Sequence, residues 1–569
     1  MSAGSHRDHP GDPAARGAPG ATGDSVVDAT RTGLASESRA GAPRRFRVAS
    51  AVALAVAVLS LAVYLATAAP TVMFGDSGEL QTVALLGGIG HPSGYPTFIM
   101  LGQVFGRLVP GDPAHRITVM SAVFGGVGVL AFGLLLAELE LSTAGVLAGA
   151  LVFAASFTVW WSAIRSEVYT LAIACFLLGL GAALRALRRG RNRDAIVASF
   201  LLGLTLTTHM AYAPAVLAVL GMLAWRTGPW RERGLSGWAG MAVGFAVGLL
   251  PILYLVYTDP RTEATNYLKY TVDLQAHQFG LTPETFRTPW QRISWLALGR
   301  EVSLGDHLAS PRHLVRNSLD MLAHTFLFEV GPLALVPFAI MLKSRLKRPQ
   351  ATDLLLAGIM VLSFCFGVAS TDGRMLPVFT LPYGLMVIVF VAIGIDQLIG
   401  SVAMWPLPRM LVAVAAFVLI ASLPNALRVY ASRHPIGPLA WQVLEEGPPR
   451  ITSFIPRLDQ YREPREIGER LLREIPHGAF VAVLWNELAV LKYLQLVEGR
   501  RRDLAFDAYY HPWHLQRMRR WQERFDLRER PIVGVGEIPM LRPYLDCADS
   551  VSYAQGKYFY VQRTPIRLP

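Results

Sequence analysis

The stretch "VASAVALAVAVLSLAVYLATAAPTVMFGDSGELQTVALLGGIGHPSGYP" (48–96) is a hydrophobic run followed at once by ionisable side chains. The run over 48–69 is long enough to cross a bilayer. Two carboxylates, Asp76 and Glu79, and one imidazole, His91, then lie between apolar stretches. Because an unpaired charge is costly to bury in hydrocarbon, we expect these groups at a membrane surface or in a functional site.

The composition is that of a protein that crosses the membrane several times. The chain has 569 residues, of which 52% are hydrophobic and 17% charged, and its mean hydropathy is +0.37. Charged residues concentrate near the N-terminus, in short loops and in the last quarter, which predicts a soluble appendage. The net charge of +12 comes largely from Arg clusters beside hydrophobic runs, so we predict no nucleic-acid partner.

Charge also predicts the orientation of the spans. The clusters "RALRRGRNR" (185–193), "WRTGPWRERG" (225–234) and "KSRLKR" (343–348) mark the cytoplasmic side by the positive-inside rule. All three clusters lie on the cytoplasmic side if the short apolar run 95–109 lies along the outer membrane surface and does not cross the bilayer. The prediction is a mainly α-helical membrane bundle of eleven spans, with the N-terminus cytoplasmic and the C-terminus outside. The predicted spans are 48–69, 116–137, 143–160, 167–185, 195–208, 210–225, 236–257, 319–342, 352–370, 376–397 and 406–424.

Three regions follow from this topology. Residues 1–43 lack apolar periodicity and are predicted to form a disordered cytoplasmic tail. Residues 44–425 form the transmembrane domain, whose first outer loop is 70–115. Residues 426–569 are predicted to be a small extracytoplasmic α/β domain, in which "GAFVAVLWNELAVLKYLQ" (478–495) is typical of a strand, a turn and a helix. The other expected strands lie in 530–537 and 557–563.

The first outer loop holds the leading candidates for chemistry. A carboxylate at the membrane surface can act as a general base or hold a cation, and the i, i+3 spacing of Asp76 and Glu79 puts both on one side of a helical turn. The alternative is that Asp76 or Ser77 caps a helix that starts there, with Glu79 in its first turn. In "HPSGYP" (91–96), His91 could bind a phosphate or orient the carboxylate, with Tyr95 beside it, and the alternative is a plain turn.

Other candidates fall in segments that the topology places on the same outer face. Glu167 and Tyr169, next to Arg165, are site residues or members of an anchoring aromatic belt. His209 is a site residue or a polar turn residue. Such convergence on one face favours a site over scattered structural pairs.

A last pair lies in "STDGRMLP" (370–377), between two of the later spans. Arg374 is suited to clamp a phosphate and Asp372 lies two residues before it. The alternative is a salt bridge within the loop.

Together these motifs resemble a known family. The pattern G-D-S-G-E-L followed by G-I-x-H-P-x-G-Y-P is similar to the signature of the bacterial domain-of-unknown-function 2723 proteins. Those proteins look like relatives of a eukaryotic transmembrane protein O-mannosyltransferase. The supporting motifs are W-x-x-x-x-x-E-V-Y (161–169), G-L-x-L-x-x-H (203–209), D-x-R-x-x-P (372–377) and Y-L-Q-x-x-E-G-R-R-x-D (493–503).

The resemblance implies a GT-C glycosyltransferase of the cell membrane. Such enzymes transfer a sugar, here mannose, from a polyprenyl-phosphate donor to an exported protein or glycan, with protein hydroxyls as the expected acceptor. The matching catalytic carboxylate is Asp76, with Glu79 beside it. No cofactor is demanded, and a divalent cation is left open. One departure is "YTDPRTEATNYLKY" (257–270), where relatives often carry an N-W-G-D-P-type sequence.

The sequence is also compatible with two other functions. A transporter or flippase of lipid-linked sugars would also need many spans, but it would carry ionisable residues near the bilayer midplane and often inverted repeats. A non-catalytic membrane scaffold would use the C-terminal domain to recruit partners.

Overall fold

A computed structural model describes most of the chain and confirms the mainly α fold with a small C-terminal α/β domain. The described residues are 24–226, 230–269, 288–298, 310–347, 349–370, 376–402, 405–434, 455–508, 531–535, 550–553 and 557–562. The helices are α1 (Asp24–Thr67), α2 (Gly75–Leu86), α3 (Pro96–Leu108), α4 (Pro113–Glu138), α5 (Thr143–Ala155), α6 (Phe157–Ala163), α7 (Tyr169–Arg189), α8 (Asn192–Thr208), α9 (Ala213–Arg226), α10 (Trp230–Leu249), α11 (Ile252–Thr258), α12 (Pro289–Ala297), α13 (Pro311–Ala323), α14 (Leu335–Leu346), α15 (Ala351–Ser370), α16 (Leu376–Phe379), α17 (Leu381–Val402), α18 (Pro406–Arg433), α19 (Glu463–Glu474) and α20 (Trp485–Leu496).

The chain is a multi-pass membrane protein. Among the described residues, 7 helices are long and apolar enough to cross a bilayer, and two bent helix pairs bring the number to 9. Large apolar side chains on α18, such as Leu411 and Leu419, are exposed, which suits contact with lipid. The single helices are Arg44–Thr67, Pro113–Glu138, Tyr169–Arg189, Gly234–Thr258, Ala351–Ser370, Leu381–Ser401 and Pro406–Ala431.

Nine of the eleven predicted spans coincide with these helices and bent pairs. The predicted spans 195–208 and 210–225 correspond to α8, with 17 residues, and α9, with 14. Both are shorter than the roughly 20 residues that a typical bilayer requires. The count of eleven therefore stays a prediction.

The predicted span 143–160 is a broken helix, because α5 and α6 meet at an angle of 61°. At the break, both carboxylate oxygens of Glu329 accept the Thr158 N–H, at 3.1 and 3.2 Å, and one also accepts the Thr158 hydroxyl at 3.0 Å. A distant carboxylate thus replaces hydrogen bonds that the helix loses where it bends.

The structure differs in part from the disordered tail that was predicted over residues 1–43. Helix α1 begins at Asp24, so residues 24–43 are helical. This segment contains alanines and arginines, which have high helix propensity. Residues 1–23 lie outside the described residues.

Two short helices, α2 and α3, fill the loop between the first two spans. Helix α2 begins at Gly75, whose φ is +59°, and is capped at its C-terminus by Gly87, whose φ is +77°. These left-handed conformations favour glycine. Helix α3 has 13 residues and is too short to span a bilayer. The prediction that 95–109 does not cross agrees with this length.

The C-terminal domain contains a five-stranded mixed sheet with the strand order β2-β1-β3-β5-β4. Strand β1 pairs in parallel with β2 and β3, whereas β5 pairs antiparallel with β3 and β4. The strands are β1 (Phe480–Val483), β2 (Ala505–Ala508), β3 (Ile532–Val535), β4 (Ser550–Tyr553) and β5 (Lys557–Gln562). The predicted strands β1, β3 and β5 and helix α20 are present, while β2 and β4 were not predicted.

The C-terminal domain packs directly on the first loop. Its core, which includes Leu491 and Tyr493, also contains Val72 and Ala114 from either end of that loop. The Tyr493 hydroxyl accepts the Ala114 N–H at 3.2 Å. The first loop and the last domain therefore share one hydrophobic core, and burial of apolar surface stabilises their contact.

Helix α20 approaches α2 closely because α2 presents a glycine. A Cβ added at Gly78 would lie 3.1 Å from the Ala489 Cβ and 2.2 Å from the Met73 carbonyl oxygen. Residues without a Cβ permit this distance between helix backbones.

Replacing Gly78 by alanine tests the packing of this position against both Met73 and α20. Because overpacking of this kind costs about 1–3 kcal/mol, we expect Gly78→Ala to lower the apparent unfolding temperature of the purified protein by several degrees. The control is Gly358→Ala in α15, where an added Cβ meets nothing within 4 Å. Equal unfolding temperatures for the two variants would contradict the packing argument.

Candidate active site

The first loop brings His91 between the two predicted carboxylates. The His91 Nδ1 lies 2.5 Å from the Glu79 Oε2, and the His91 backbone N–H donates to the Glu79 Oε1 at 3.1 Å. The Nε2 of the same ring lies 3.7 Å from the Asp76 Oδ2. We call Asp76, Glu79 and His91 the acid–histidine cluster.

The cluster carries a positive charge on its histidine. Burial acts to lower the pKa of His91, but the negative charges of Asp76 and Glu79 outweigh it and raise that pKa to about 10. The imidazole is therefore protonated at neutral pH and pairs with both carboxylates.

The two carboxylates differ in exposure. The Glu79 side chain is only 5% exposed and contacts His91 through both oxygens, whereas Asp76 is 36% exposed. Neither carboxylate caps α2, because the N-cap residue is Phe74 and no side chain bonds the free amides there. Asp76 does lie in the first turn of α2, where the helix dipole favours negative charge. The capping alternative is therefore wrong, and Asp76 is the more exposed of the two carboxylates.

A residue of the C-terminal domain completes the environment of Asp76. The indole Nε1 of Trp485, at the start of α20, donates to the Asp76 Oδ1 at 2.7 Å. The two residues are 409 positions apart. The sequence alone does not indicate Trp485, because no local sequence pattern predicts a contact between residues so far apart in the chain.

The loop that carries His91 is fixed by the segment that departs from the family pattern. The Ile89 N–H donates to the Thr265 carbonyl oxygen at 2.8 Å, and the Tyr267 N–H donates to the Ile89 carbonyl oxygen at 3.0 Å. Asn266 is fully buried, and its side-chain amide donates to the Asp259 Oδ1 at 2.9 Å. These hydrogen bonds hold the histidine loop in place.

Aromatic side chains form one wall beside His91. The Tyr95 ring lies 4.9 Å from the His91 ring and 6.0 Å from that of His209, and Tyr169 lies 5.3 Å from His209. The Tyr95 hydroxyl donates to the Pro92 carbonyl oxygen at 2.6 Å. Tyr95, Tyr169 and His209, predicted separately as substrate contacts, thus lie together.

His209 and His91 have opposite protonation behaviour. Burial, and then the charge of His91, lower the pKa of His209 to about 3, so its ring is neutral. Its Nδ1 accepts the Ala211 N–H at 3.3 Å, which fits the turn-residue alternative. Contact of His209 with a substrate stays a prediction.

Glu167 connects another loop to α2. Its Oε1 accepts the Ser77 hydroxyl at 3.0 Å and lies 3.4 Å from the Arg165 Nε. The Arg165 guanidinium lies 5.1 Å from the centre of the Trp161 ring. Glu167 is buried, so these contacts position α2.

The remaining predictions concern the Asp372–Arg374 pair and a cation. Asp372 and Arg374 lie outside the described residues. Within the part of the chain that the structure describes, no group of three or more His, Cys, Asp or Glu side chains is placed to hold a metal ion.

Comparison with known proteins matches the segment that carries the cluster. Residues 76–230 match the family described as the protein O-mannosyl-transferase TMEM260 N-terminal domain. This segment contains Asp76, Glu79, His91, Tyr95, Glu167, Tyr169 and His209. The resemblance predicted from the motifs is thereby confirmed for this part of the chain.

Two curated relatives carry the same name. The protein O-mannosyl-transferase TMEM260 of Mus musculus is 31% identical over 188 residues, which cover 32% of this chain and 26% of the mouse protein. The protein O-mannosyl-transferase tmem260 of Dictyostelium discoideum is 34% identical over 114 residues, which cover 19% of this chain and 14% of that protein. The matched regions thus span about a quarter or less of these relatives.

A solved structure is similar over a longer region but more weakly. The crystal structure of ArnT from Cupriavidus metallidurans bound to undecaprenyl phosphate covers 90% of this chain, with 97% of its own chain aligned and 11% identity. The TM-score of 0.46 is too low to establish a shared fold.

The charge on His91 predicts a pH dependence of stability. A histidine with a folded-state pKa of about 10 and an unfolded-state pKa near 6.5 contributes its full stabilisation below about pH 6.5 and loses it as the pH rises towards 10. We expect the apparent unfolding temperature to fall over this range, and His91→Gln to flatten the dependence.

The control is His477→Gln, which removes an imidazole that is 89% exposed. This variant should keep the wild-type pH dependence. An equally steep decrease in His91→Gln would contradict the ionic pairing of His91.

Proposed function

We propose, on the premise that residues 76–230 resemble the protein O-mannosyl-transferase TMEM260 N-terminal domain, that the chain is a membrane glycosyltransferase. It transfers a sugar, mannose by analogy, from a polyprenyl-phosphate donor to hydroxyl groups of exported proteins. The observation that carries this proposal is the half-exposed Asp76 carboxylate beside the charged His91 ring. The Asp76 carboxylate provides a base, and the His91 imidazolium next to it provides a positive charge.

In the proposed reaction Asp76 acts as the general base. Its carboxylate accepts the proton of the acceptor hydroxyl while the hydroxyl oxygen attacks the anomeric carbon of the sugar. The bond from this carbon to the phosphate oxygen breaks, and its electron pair leaves with the polyprenyl phosphate. The Trp485 N–H, 2.7 Å from the Asp76 Oδ1, orients the carboxylate.

His91 supplies positive charge for the leaving phosphate. Its Nδ1 faces Glu79, while its Nε2 lies on the side of Asp76 at 3.7 Å. A cation already in place stabilises developing negative charge without reorganisation during the reaction. Glu79 is therefore assigned a positioning role: it holds the imidazolium.

Two earlier predictions remain part of this proposal. Arg374 is proposed to bind the donor phosphate, with Asp372 beside it. Since both Glu79 oxygens contact His91, we assign no ligands to a divalent cation and derive no step through one.

The orientation proposed for the site is extracytoplasmic, in the cell membrane. Tyr169, beside the cluster, is the first residue of α7, and Arg188 and Arg189 lie in its last turn. A helix of 21 residues is about 30 Å long, which matches the hydrocarbon thickness. The basic end is then cytoplasmic by the positive-inside rule, the site is outside, and the N-terminus is cytoplasmic.

A transporter of lipid-linked sugars is the second candidate, and one observation favours it. A small cavity of about 20 Å³ within the membrane bundle is lined by His324, Glu329 and several hydroxyl groups. Ionisable residues in spans are typical of transport pathways. However, Glu329 also bonds Thr158 at the helix break, which gives that carboxylate a structural role.

Asp76→Asn tests the catalytic assignment. Loss of a general base typically costs about 10²–10⁴-fold in rate, so we expect at least a hundredfold loss of sugar transfer to protein by membranes that contain the variant. Asp459→Asn, at an exposed surface pair with Arg457, is the control with wild-type activity. Near-normal transfer by folded Asp76→Asn protein would contradict the assignment of Asp76 as the general base.

Trp485→Phe tests the orientation of Asp76. The variant keeps an aromatic ring and loses the N–H; a hydrogen bond to a charged group contributes about 1.5–3 kcal/mol. We expect a decrease in kcat of about tenfold to a hundredfold. A kcat at its wild-type value would indicate that Trp485 only packs.

A further inference from the structure

The motif Y-L-Q-x-x-E-G-R-R-x-D (493–503) of the C-terminal domain has no part in the proposed chemistry, yet two of its residues connect that domain to the first loop. The Tyr493 hydroxyl accepts the Ala114 N–H at 3.2 Å. Glu498 binds both terminal nitrogens of Arg465 on α19, at 2.7 and 3.1 Å. Arg465 in turn contacts the loop that carries the acid–histidine cluster.

Arg465 contacts both ends of the first loop at one point. Its Nη1 donates to the Thr71 Oγ1 at 3.2 Å and lies 3.7 Å from the Asp112 Oδ2. The Thr71 hydroxyl donates to the same Asp112 oxygen at 2.9 Å. Thr71 follows the first span, which ends at Thr67, and Asp112 is the N-cap residue of α4, the second span. One guanidinium group therefore joins two loop ends that are 41 positions apart.

Helix α2 is attached to the same junction by a buried amide. Gln81 has no exposed surface, and its Oε1 accepts the Met73 N–H at 3.0 Å. Its Nε2 lies 3.4 Å from the carbonyl oxygens of Thr71 and Ala114. Asp76, in the first turn of α2, follows Thr71 by only five positions. A displacement of the junction therefore reaches Asp76 through a short segment that is fixed by hydrogen bonds.

The guanidinium group suits this junction by its charge and its geometry. Arg465 faces three carboxylates, those of Glu498, Glu469 and Asp112, and Arg500 pairs with the two glutamates at 3.2 Å each. The Arg465 side chain is only 22% exposed, so water screens these pairs less than it screens surface pairs. The planar fork binds Glu498 through two nitrogens and still reaches the loop, which a single ammonium group cannot do.

We propose that Arg465 is a positioning residue for the proposed general base. We call Arg465, Glu498, Thr71 and Asp112 the loop clamp. By holding the two ends of the first loop together, the loop clamp fixes the start of α2 and with it the position of Asp76. This inference rests on the proposed function. A misplacement of about 1 Å can cost about a hundredfold in rate, so a small movement of α2 is enough to slow the reaction.

Kinetics in two backgrounds test whether Arg465 acts through Asp76. Arg465→Gln removes the charge and the fork, and we expect kcat for sugar transfer to fall about tenfold. In the Asp76→Asn protein the same change should cost about threefold or less, because the effects of residues that act as a unit are not additive. Equal fold losses in both backgrounds would overturn the positioning role, since a purely structural role lowers both rates alike.

The matched control is Arg470→Gln, the same substitution on the same helix. Arg470 is 45% exposed and pairs with Glu474 at 3.0 Å, so this variant should keep the wild-type kcat. Arg465→Lys keeps the charge without the fork, and its kcat should lie between those of the wild type and Arg465→Gln. The unfolding temperature of every variant is measured, and Arg465→Lys provides the test in both backgrounds if Arg465→Gln does not fold.

Hydrogen exchange tests the loop clamp without any sugar donor. We expect the backbone amides of residues 71–86 in the purified full-length protein to exchange several-fold faster in Arg465→Gln than in the wild type or Arg470→Gln. Unchanged exchange in both Arg465 variants would overturn the loop clamp, even if the wild type transfers sugar. If the wild type transfers no sugar, the proposed function fails, whereas faster exchange confined to the Arg465 variants would still support the loop clamp.

Discussion

The ionic contact of His91 with Glu79 and Asp76 is the interaction on which the site depends. Burial alone would favour a neutral imidazole, and the two carboxylates reverse that preference. Through its backbone N–H and its ring, His91 also ties its loop to α2. The pairing of these three charged groups lowers the free-energy cost of burying them, and Asp76 stays half-exposed.

Close packing between distant parts of the chain supports this cluster. Gly78 allows α20 to approach α2, and Val72 and Ala114 join the core of the C-terminal domain. The segment around Asn266 bonds the backbone at Ile89. Because each contact joins residues far apart in sequence, the site forms only when the membrane bundle and the last domain fold together.

The sequence predicted most of the helical architecture, for a clear physical reason. A span needs about 20 apolar residues, so its signal is local and strong. The bend at Ser156 was not predictable, because the carboxylate that satisfies Thr158 comes from Glu329 in another span. Strand β2 was missed because its sequence, AFDA, contains no β-branched residue and includes an aspartate, unlike β1 and β3 of the same length.

For the site, the sequence by itself determined which groups are chemically suitable and that Asp76, Glu79 and His91 belong to one loop. It also indicated Tyr95, Tyr169 and His209, each in a separate motif. Only the tertiary structure decided that His91 lies between the carboxylates, that Glu79 is buried while Asp76 is half-exposed, and that Trp485 binds Asp76. Residue type and spacing are properties of the local sequence. Burial, charge pairing and contacts across 409 positions arise only when the chain packs into its tertiary structure.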